Sequence, residues 1–258
     1  MKRLSTLPET RRLLKTYILV LLALVLSFNW MMAGEVWFNL HGGLSLPNLK
    51  GGTNELSQGY TSRKAPYFGL GLEFRLSPSA FLKTGLIYSS QGGQRNGLQP
   101  LAPDQLSGLP VPPGVTLYAY FQNETILDYL EIPVMLELVT GQSPQFFVEA
   151  GIYAGYRVRV KTVTSGTSLI YLDSAGSIPI DPSLQVPFDA ETDVSQEINR
   201  WNYGLCSGLG LKVPVGSGQV LLGGRFNYGL ANIQSHPEIT GKNRSGGLML
   251  TLGYMFRL

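Results

Sequence analysis

Between residues 146 and 161 every second residue is apolar, and most of the residues between them are charged or glycine. Phe146, Val148 and Ile152 belong to the apolar set, whereas Glu149 and Arg157 belong to the other. A period of two residues is typical of a β-strand, whose side chains point alternately to its two faces. The stretch is long enough to cross a bilayer as a tilted strand, which needs about ten residues.

The same alternation recurs in seven further stretches, which predicts eight strands in all. The eight predicted strands cover residues 36–44, 67–76, 80–89, 129–138, 146–161, 201–213, 219–228 and 247–258. Short connections rich in Pro or Gly alternate with long ones near residues 45–66, 90–127, 162–200 and 229–246. Short turns at one end and long loops at the other are the arrangement of outer-membrane barrels.

The polar face decides between a soluble barrel and a membrane barrel. A soluble barrel encloses apolar side chains, but here the charged residues share the face opposite the apolar one. The sequence therefore predicts an all-β, eight-stranded, antiparallel up-and-down transmembrane β-barrel, with its apolar face toward lipid. Because eight strands leave a bore only wide enough for side chains, we expect a packed lumenal charge network. Its predicted members are Glu73, Lys83, Glu131, Glu137, Glu149, Lys212, Arg225 and Arg257.

Composition supports this prediction. Only 14% of the 258 residues are charged and 31 are glycine, which disfavours a helical or a strongly water-exposed protein. The formal charge of +3 is concentrated before the first apolar run, so the remainder is near neutral and no nucleic-acid partner is expected. Basic residues followed by a short apolar run indicate a signal peptide over residues 1–34, with the barrel domain over residues 35–258. We expect the signal peptide to be cleaved, and the alternative is an uncleaved transmembrane anchor. The predicted location is the outer membrane of a Gram-negative bacterium.

Two blocks resemble a known family. YLEIPVMLEL at residues 129–138 and FFVEAGIYAGYRV at residues 146–158 are similar to the outer-membrane β-barrel "porin family" of Bacteroidota. The carboxyl-terminal FNYGLANI and LTLGYMFRL are similar to its closing hairpin. The resemblance implies an outer-membrane barrel, and the family includes PorT-like accessory proteins of type IX secretion. The chain ends in Leu258, where such barrels often end in an aromatic residue.

The third long loop carries acidic residues without an intervening Lys or Arg. An outer-mouth basic row, Arg157, Arg159 and Lys161, directly precedes it, so we expect the loop to fold back over the mouth and pair with this row. The alternative is a solvated acidic loop. The acidic residues of this loop are Asp173, Asp181, Asp189, Glu191, Asp193 and Glu197.

Enzymatic and metal-binding motifs are sparse. The only histidines are His41, predicted to be lumenal, and His236 in the last loop, so no Ser-His-Asp arrangement is visible. Asp189, Glu191 and Asp193 have the spacing of the start of a calcium loop but lack its glycine and terminal glutamate. We therefore expect no catalytic residue, no cofactor and no metal. Pro133 within a strand predicts an irregularity in the sheet.

The function predicted is a non-enzymatic structural or interaction protein that presents extracellular loops. The alternatives are a PorT-like secretion accessory, a narrow channel and an outer-membrane enzyme. The partners expected are outer-membrane lipid and lipopolysaccharide, the barrel assembly machinery and, on the second alternative, secretion-system proteins.

Overall fold

The structure is a computed structural model that describes residues 35–101 and 115–258. The predicted signal peptide lies outside the described residues. Within them the chain forms the strands β1 (Val36–Lys50), β2 (Ala65–Ser77), β3 (Ala80–Pro100), β4 (Tyr118–Thr140), β5 (Gln145–Ser165), β6 (Thr167–Ser168), β7 (Ile170–Tyr171), β8 (Val186–Pro187), β9 (Ala190–Thr192), β10 (Trp201–Val215), β11 (Gly218–Gly229) and β12 (Arg244–Arg257), with one short helix, α1 (Pro237–Thr240).

Eight long strands close into a ring. The sequential antiparallel pairs run from β1 through β5, then through β10, β11 and β12, and β12 returns to pair with β1. The closing register places Phe38 opposite Phe256 and Leu44 opposite Leu250. A closed ring leaves no sheet edge in the barrel wall, as lipid requires. The predicted eight-stranded antiparallel up-and-down barrel is confirmed.

The outer wall of the ring is apolar. Ile152, Leu209 and Leu252 each expose about 60% of their surface, at 59%, 66% and 60% respectively. Soluble proteins rarely expose apolar patches of more than a few hundred Å², so a belt that encircles the barrel indicates a lipid-facing wall. Near its outer edge, Tyr156 lies beside Trp201 with ring centroids 5.1 Å apart. This contact is part of the aromatic girdle expected at a membrane interface.

The loops differ from the sequence prediction in one major respect. Residues 90–100 and 118–127, which were predicted to be loop, continue β3 and β4 as a hairpin beyond the membrane. The alternation rule missed them because a strand above the bilayer needs no apolar face, and this one carries residues such as Gln91 and Gln94. We call the extension of β3 and β4 over residues 90–100 and 118–128 the arm.

The other predicted loops are also shorter than expected. β1 continues to Lys50 and β2 begins at Ala65, so residues 51–64 form the first outer loop. β5 continues to Ser165, and the third outer segment contains β6 to β9. The fourth outer loop holds α1 and ends where β12 begins at Arg244. The tight turns at residues 78–79, 141–144 and 216–217 lie at the opposite end of the barrel, as predicted.

Two apolar clusters lie above the membrane. The mouth cluster lies where the barrel opens outward, and the arm cluster packs the third outer segment against the arm. The mouth cluster contains Leu49, Leu127, Tyr129, Val160, Val194, Ile198 and Ile233, with Tyr60 against it, and the arm cluster contains Leu101, Leu117, Ala119, Phe121, Ile170 and Phe188, with Val186 against it.

In the ranges that the structure describes, no helix combines the length and the apolar character that a membrane span requires.

Candidate functional site

The lower lumen holds a compact ion network. Lys83 Nζ lies 3.3 Å from Glu73, 2.8 Å from Glu137 and 2.7 Å from Glu149. Lys212 Nζ lies 2.6 Å from Glu73 and also contacts Glu137. β-strand alternation directs these side chains inward from β2, β3, β4, β5 and β10, so the network ties five strands together.

Arg225 completes the network. Its Nε lies 3.3 Å from Glu149 Oε1, which brings three cations together with three carboxylates. The charges therefore cancel within the lumen, and removal of a single member would leave an uncompensated buried charge. Aromatic rings line the same layer, and Phe147 lies 5.0 Å from Lys83 Nζ and 5.6 Å from Lys212 Nζ. Six of the eight predicted network residues are thus brought together.

The other two predicted members lie elsewhere. Arg257 is a correction, because its side chain is 64% exposed and pairs with Glu35 at 3.1 Å at the inner end of the barrel. It is the last residue of β12, where the strand has already left the lumen. Glu131 is lumenal and buried, but its carboxyl oxygens accept hydrogen bonds from Gln91 and Asn227 rather than from a cation of the network.

Glu131 belongs to a second, upper layer of amides and hydroxyls. Asn202 Nδ2 donates to Gln91 Oε1 at 3.1 Å and to Ser245 Oγ at 2.7 Å. Asn227 Nδ2 lies 3.4 Å from Glu131 Oε2. The sequence analysis concentrated on charges and missed this layer, although the position of Asn202 and Asn227 on the polar face of their strands was a usable signal.

The two histidines and the cysteine have different surroundings. His41 lies in the lumen as predicted, and its Nδ1 is 2.7 Å from Asn39 Oδ1. His236 is exposed in the fourth outer loop, 3.3 Å from Glu238. Cys206 is buried in the lumen against Met135 and Tyr153. The two histidines therefore belong to different regions of the barrel.

Pro133 interrupts the pairing of β3 with β4. Thr84 pairs with Val134 and Ile87 pairs with Glu131, but the two positions between them form no ladder pairs. Thr84 Oγ1 donates a hydrogen bond to the carbonyl oxygen of Pro133 at 2.9 Å, so a side chain gives this backbone oxygen a partner. The irregularity expected from the missing N–H is confirmed.

At the outer mouth, the basic row divides among three kinds of partner. Lys161 Nζ pairs with Glu191 of the acidic loop at 2.7 Å, as predicted. Arg157 Nη1 donates to the carbonyl oxygens of Ser195, at 2.8 Å, and Ile198. Arg159 Nε pairs instead with Asp128 of β4 at 2.6 Å.

The row thus holds the loop mainly through backbone oxygens. Val194 and Ile198 of the loop are buried in the mouth cluster, so the expected folding of the loop over the mouth is present. Pairing of the whole basic row with loop carboxylates is wrong, because Arg159 has a nearer carboxylate across the sheet.

The other loop carboxylates stabilise local turns. Asp173 accepts from the backbone N–H of Ser177 and Ile178, and Asp181 and Asp193 accept from the N–H groups of Ser183 and Ser195. Hydroxyl and backbone donors lower the pKa of Asp173, Asp181 and Asp193 below the usual range, with the Ser hydroxyls as the largest cause.

The calcium-like spacing does not form a shared site. Asp189 Oδ1 accepts from the N–H of Gly166 at 3.3 Å, whereas Glu191 pairs with Lys161 and Asp193 with Ser195. Within residues 35–101 and 115–258, no group of three or more His, Cys, Asp or Glu residues is arranged to hold a metal ion. The backbone N–H of Glu197 donates a hydrogen bond to the carbonyl oxygen of Val194 at 3.0 Å.

The arm is braced by the first outer loop. Arg63 Nε pairs with Glu124 at 2.7 Å, and Arg95 Nη1 donates to the carbonyl oxygens of Glu55 and Gln58 at 2.9 and 2.8 Å. Tyr118 Oη donates to Glu55 Oε2 at 2.6 Å. The pKa of Tyr118 is raised to about 12, and this hydrogen bond to the Glu55 carboxylate is the largest cause.

Comparison with known proteins identifies the family. The family model described as "Outer membrane protein beta-barrel domain" matches residues 29–235, more than half of the chain. The chain belongs to this outer membrane β-barrel family. Its location is therefore the outer membrane. No protein of curated function matches the sequence.

Several solved structures are similar to this chain at low sequence identity. The attachment invasion locus protein Ail of Yersinia pestis is 12% identical, with 87% of this chain and 100% of that chain covered and a TM-score of 0.38. The N-terminal β-barrel domain of Pseudomonas aeruginosa OprF is 11% identical, with 87% and 99% covered and a TM-score of 0.38. The Escherichia coli outer membrane protease OmpT is 9% identical, with 87% and 97% covered and a TM-score of 0.33. At these values the likeness carries no argument about function.

Proposed function

We propose that this outer membrane barrel is a non-enzymatic interaction protein that holds a folded extracellular platform for a protein partner. The observation that carries the proposal is the arm cluster. Phe121 stacks on Phe188 with ring centroids 4.9 Å apart, and Leu117 and Ala119 of the same strand are buried beside them. An apolar core above the membrane gives the outer segments one fixed shape, and a fixed shape is what recognition at low entropic cost requires.

The outer surface of this platform is apolar. Tyr120, Leu172, Ile178 and Ile180 are exposed by 45%, 43%, 55% and 48% on the arm and the adjoining third segment. Apolar side chains on a rigid extracellular surface mark interaction sites when they are grouped. Gly176 lies beside Tyr120 and Leu98, which places the tip of the third segment against the arm.

The lumen supports this role over that of a narrow channel. The neutral ion network spans the lower lumen, and the mouth cluster lies at the outer opening. An enzyme is less well supported, because His41 lies in the lumen whereas His236 lies in the fourth outer loop. A PorT-like role in secretion within Bacteroidota stays a prediction from the resemblance, and it predicts co-purification with secretion components.

The test is site-specific photo-crosslinking in intact cells. A photoreactive residue at Ile180 should give a discrete protein adduct, whereas one at Ser217, in an exposed turn at the opposite end, should not give the same adduct. Ile178→Ser, which removes a neighbouring apolar side chain, should weaken the adduct. The proposal is wrong if positions 120, 172, 178 and 180 all give no protein adduct while the barrel is present and folded.

A further inference from the structure

Two basic side chains, Lys50 and Arg244, lie on the outward face of the barrel near its outer end. Lys50 ends β1 and Arg244 begins β12, and the two residues are direct cross-strand partners. Six residues toward the membrane in each strand, Leu44 and Leu250 form another such pair, and both are exposed on the lipid-facing wall. Because side chains repeat a face every two residues, the two cations share that outward face. Both are exposed.

The register places this pair at the level of lipid headgroups. Outward from Leu46 and Leu248, the next pair on the same face is Asn48 with Gly246, and the following pair is Lys50 with Arg244. Each step of two residues advances about 6.6 Å along the strand. Tyr228, an exposed aromatic residue of the outer girdle, is the partner of Gly246, so the cations lie just outside the girdle.

The cations flank a groove with an aromatic side. The groove has a volume of about 60 Å³ and is lined by Lys50 and Arg244 together with Phe226, Tyr228 and Gly246. Lys50 Nζ lies 6.0 Å from the centroid of the Phe226 ring. The groove therefore combines positive charge at its outer end with an apolar surface toward the membrane, which matches an amphipathic ligand.

The charges around this pair favour an anionic ligand. Within residues 35–101 and 115–258, no carboxylate forms an ion pair with Lys50 or Arg244. Like charges directly opposite each other in an antiparallel pair are destabilising. An anion between the two side chains would remove this repulsion.

We propose that Lys50 and Arg244 bind a phosphate group of an outer-leaflet lipid, with Phe226 and Tyr228 against the adjoining part of that lipid. A guanidinium can donate two parallel hydrogen bonds to a phosphate, and the Lys ammonium adds a point charge. The ligand class is a phosphorylated lipid, because the groove is continuous with the lipid-facing wall. The site lies outside the arm and does not depend on the proposed protein partner.

The experiment compares lipid binding by the full barrel and two matched variants. The refolded protein in a neutral detergent is titrated with bis-phosphorylated lipid A, and retained lipid is measured by native mass spectrometry. The double variant Lys50→Gln with Arg244→Gln should bind at least roughly tenfold more weakly, as expected for loss of charged hydrogen bonds. Lys64→Gln is the control, since Lys64 is an exposed outer-side cation that does not line the groove.

The outcomes separate a specific site from general attraction. The proposal requires that dephosphorylated lipid A bind the wild-type protein more weakly than lipid A, and that Lys64→Gln bind lipid A normally. Equal losses for Lys64→Gln and the double variant would overturn it. Sucrose octasulfate or inorganic phosphate competing as well as lipid A would also overturn it, because the site would then serve soluble anions. Heat-modified electrophoretic mobility verifies that each variant is a folded barrel.

Discussion

Two buried carboxyls of β4, Glu137 and Glu131, have opposite surroundings. Glu137 accepts from Lys83 Nζ at 2.8 Å and also contacts Lys212. Glu131 is held by the amides of Gln91 and Asn227. The charge of Glu137 is therefore needed to balance two buried ammonium groups, whereas the partners of Glu131 would also suit a neutral amide.

The two carboxyls should respond differently to the same substitution. Glu137→Gln should destabilise the barrel by about 3 kcal/mol, because it leaves buried positive charge unbalanced. Glu131→Gln should change stability by less than about 1 kcal/mol. Urea unfolding of the protein in phosphocholine vesicles, followed by tryptophan fluorescence, measures both. Equal effects of the two substitutions would show that the lumen does not discriminate between ionic and amide layers.

At the scale of elements, Arg157 ties the third outer segment to the barrel. Its guanidinium donates hydrogen bonds to the carbonyl oxygens of Ser195 and Ile198. Ile198 is itself buried in the mouth cluster. Arg157→Ala should therefore speed proteolysis of residues 190–200 on intact cells several-fold, since local opening governs cleavage. Arg159→Ala is the matched control, because Arg159 pairs with Asp128 of β4 and not with the third outer segment. Equal cleavage of wild type and Arg157→Ala would contradict this role.

The contact between the arm and the first outer loop should depend on pH. In the folded state the hydrogen bond to Glu55 raises the pKa of Tyr118 to about 12. A raised folded pKa means that the stabilisation is complete below the unfolded pKa of about 10 and is lost as pH rises through about 12. A difference ultraviolet titration of wild type against Tyr118→Phe should show this late tyrosinate, and Glu55→Gln should bring its pKa back toward about 10.

Some elements of the fold could be predicted from the sequence and others could not. The barrel strands were predictable because lipid on one side and a packed lumen on the other impose a strict period of two on residues such as those of β5. The arm was not predictable, because β3 beyond Ser89 is polar on both faces and has the composition of a loop.

The lumenal network could be predicted from the positions of Glu73 and Lys212 on the polar faces of their strands. The pairing of Arg159 with Asp128 could not, because it depends on the register between β4 and β5. The cross-strand position of Lys50 and Arg244 required the ring closure of β1 with β12.

At the scale of the whole molecule, the barrel should not conduct ions. Three carboxylates and three cations are linked by ion pairs across the lower lumen, and the amide layer and the mouth cluster lie above them. Purified protein in planar bilayers should show no discrete conductance, and neither should Arg157→Ala, because the lower network remains. Stable wild-type channels would show that the lumen opens in the membrane.

We expect the arm and the third outer segment of this outer membrane barrel to lie outside the cell. Cys206, the sole cysteine, is buried, so Cys206→Ala provides a background for single reporter cysteines. A membrane-impermeant maleimide applied to intact cells should label Ser174→Cys, in the third outer segment, and should not label Ser217→Cys, in an exposed turn at the inner end. Both should react once the outer membrane is permeabilised. Labelling of Ser217→Cys but not of Ser174→Cys on intact cells would contradict the proposed orientation and the function built on it.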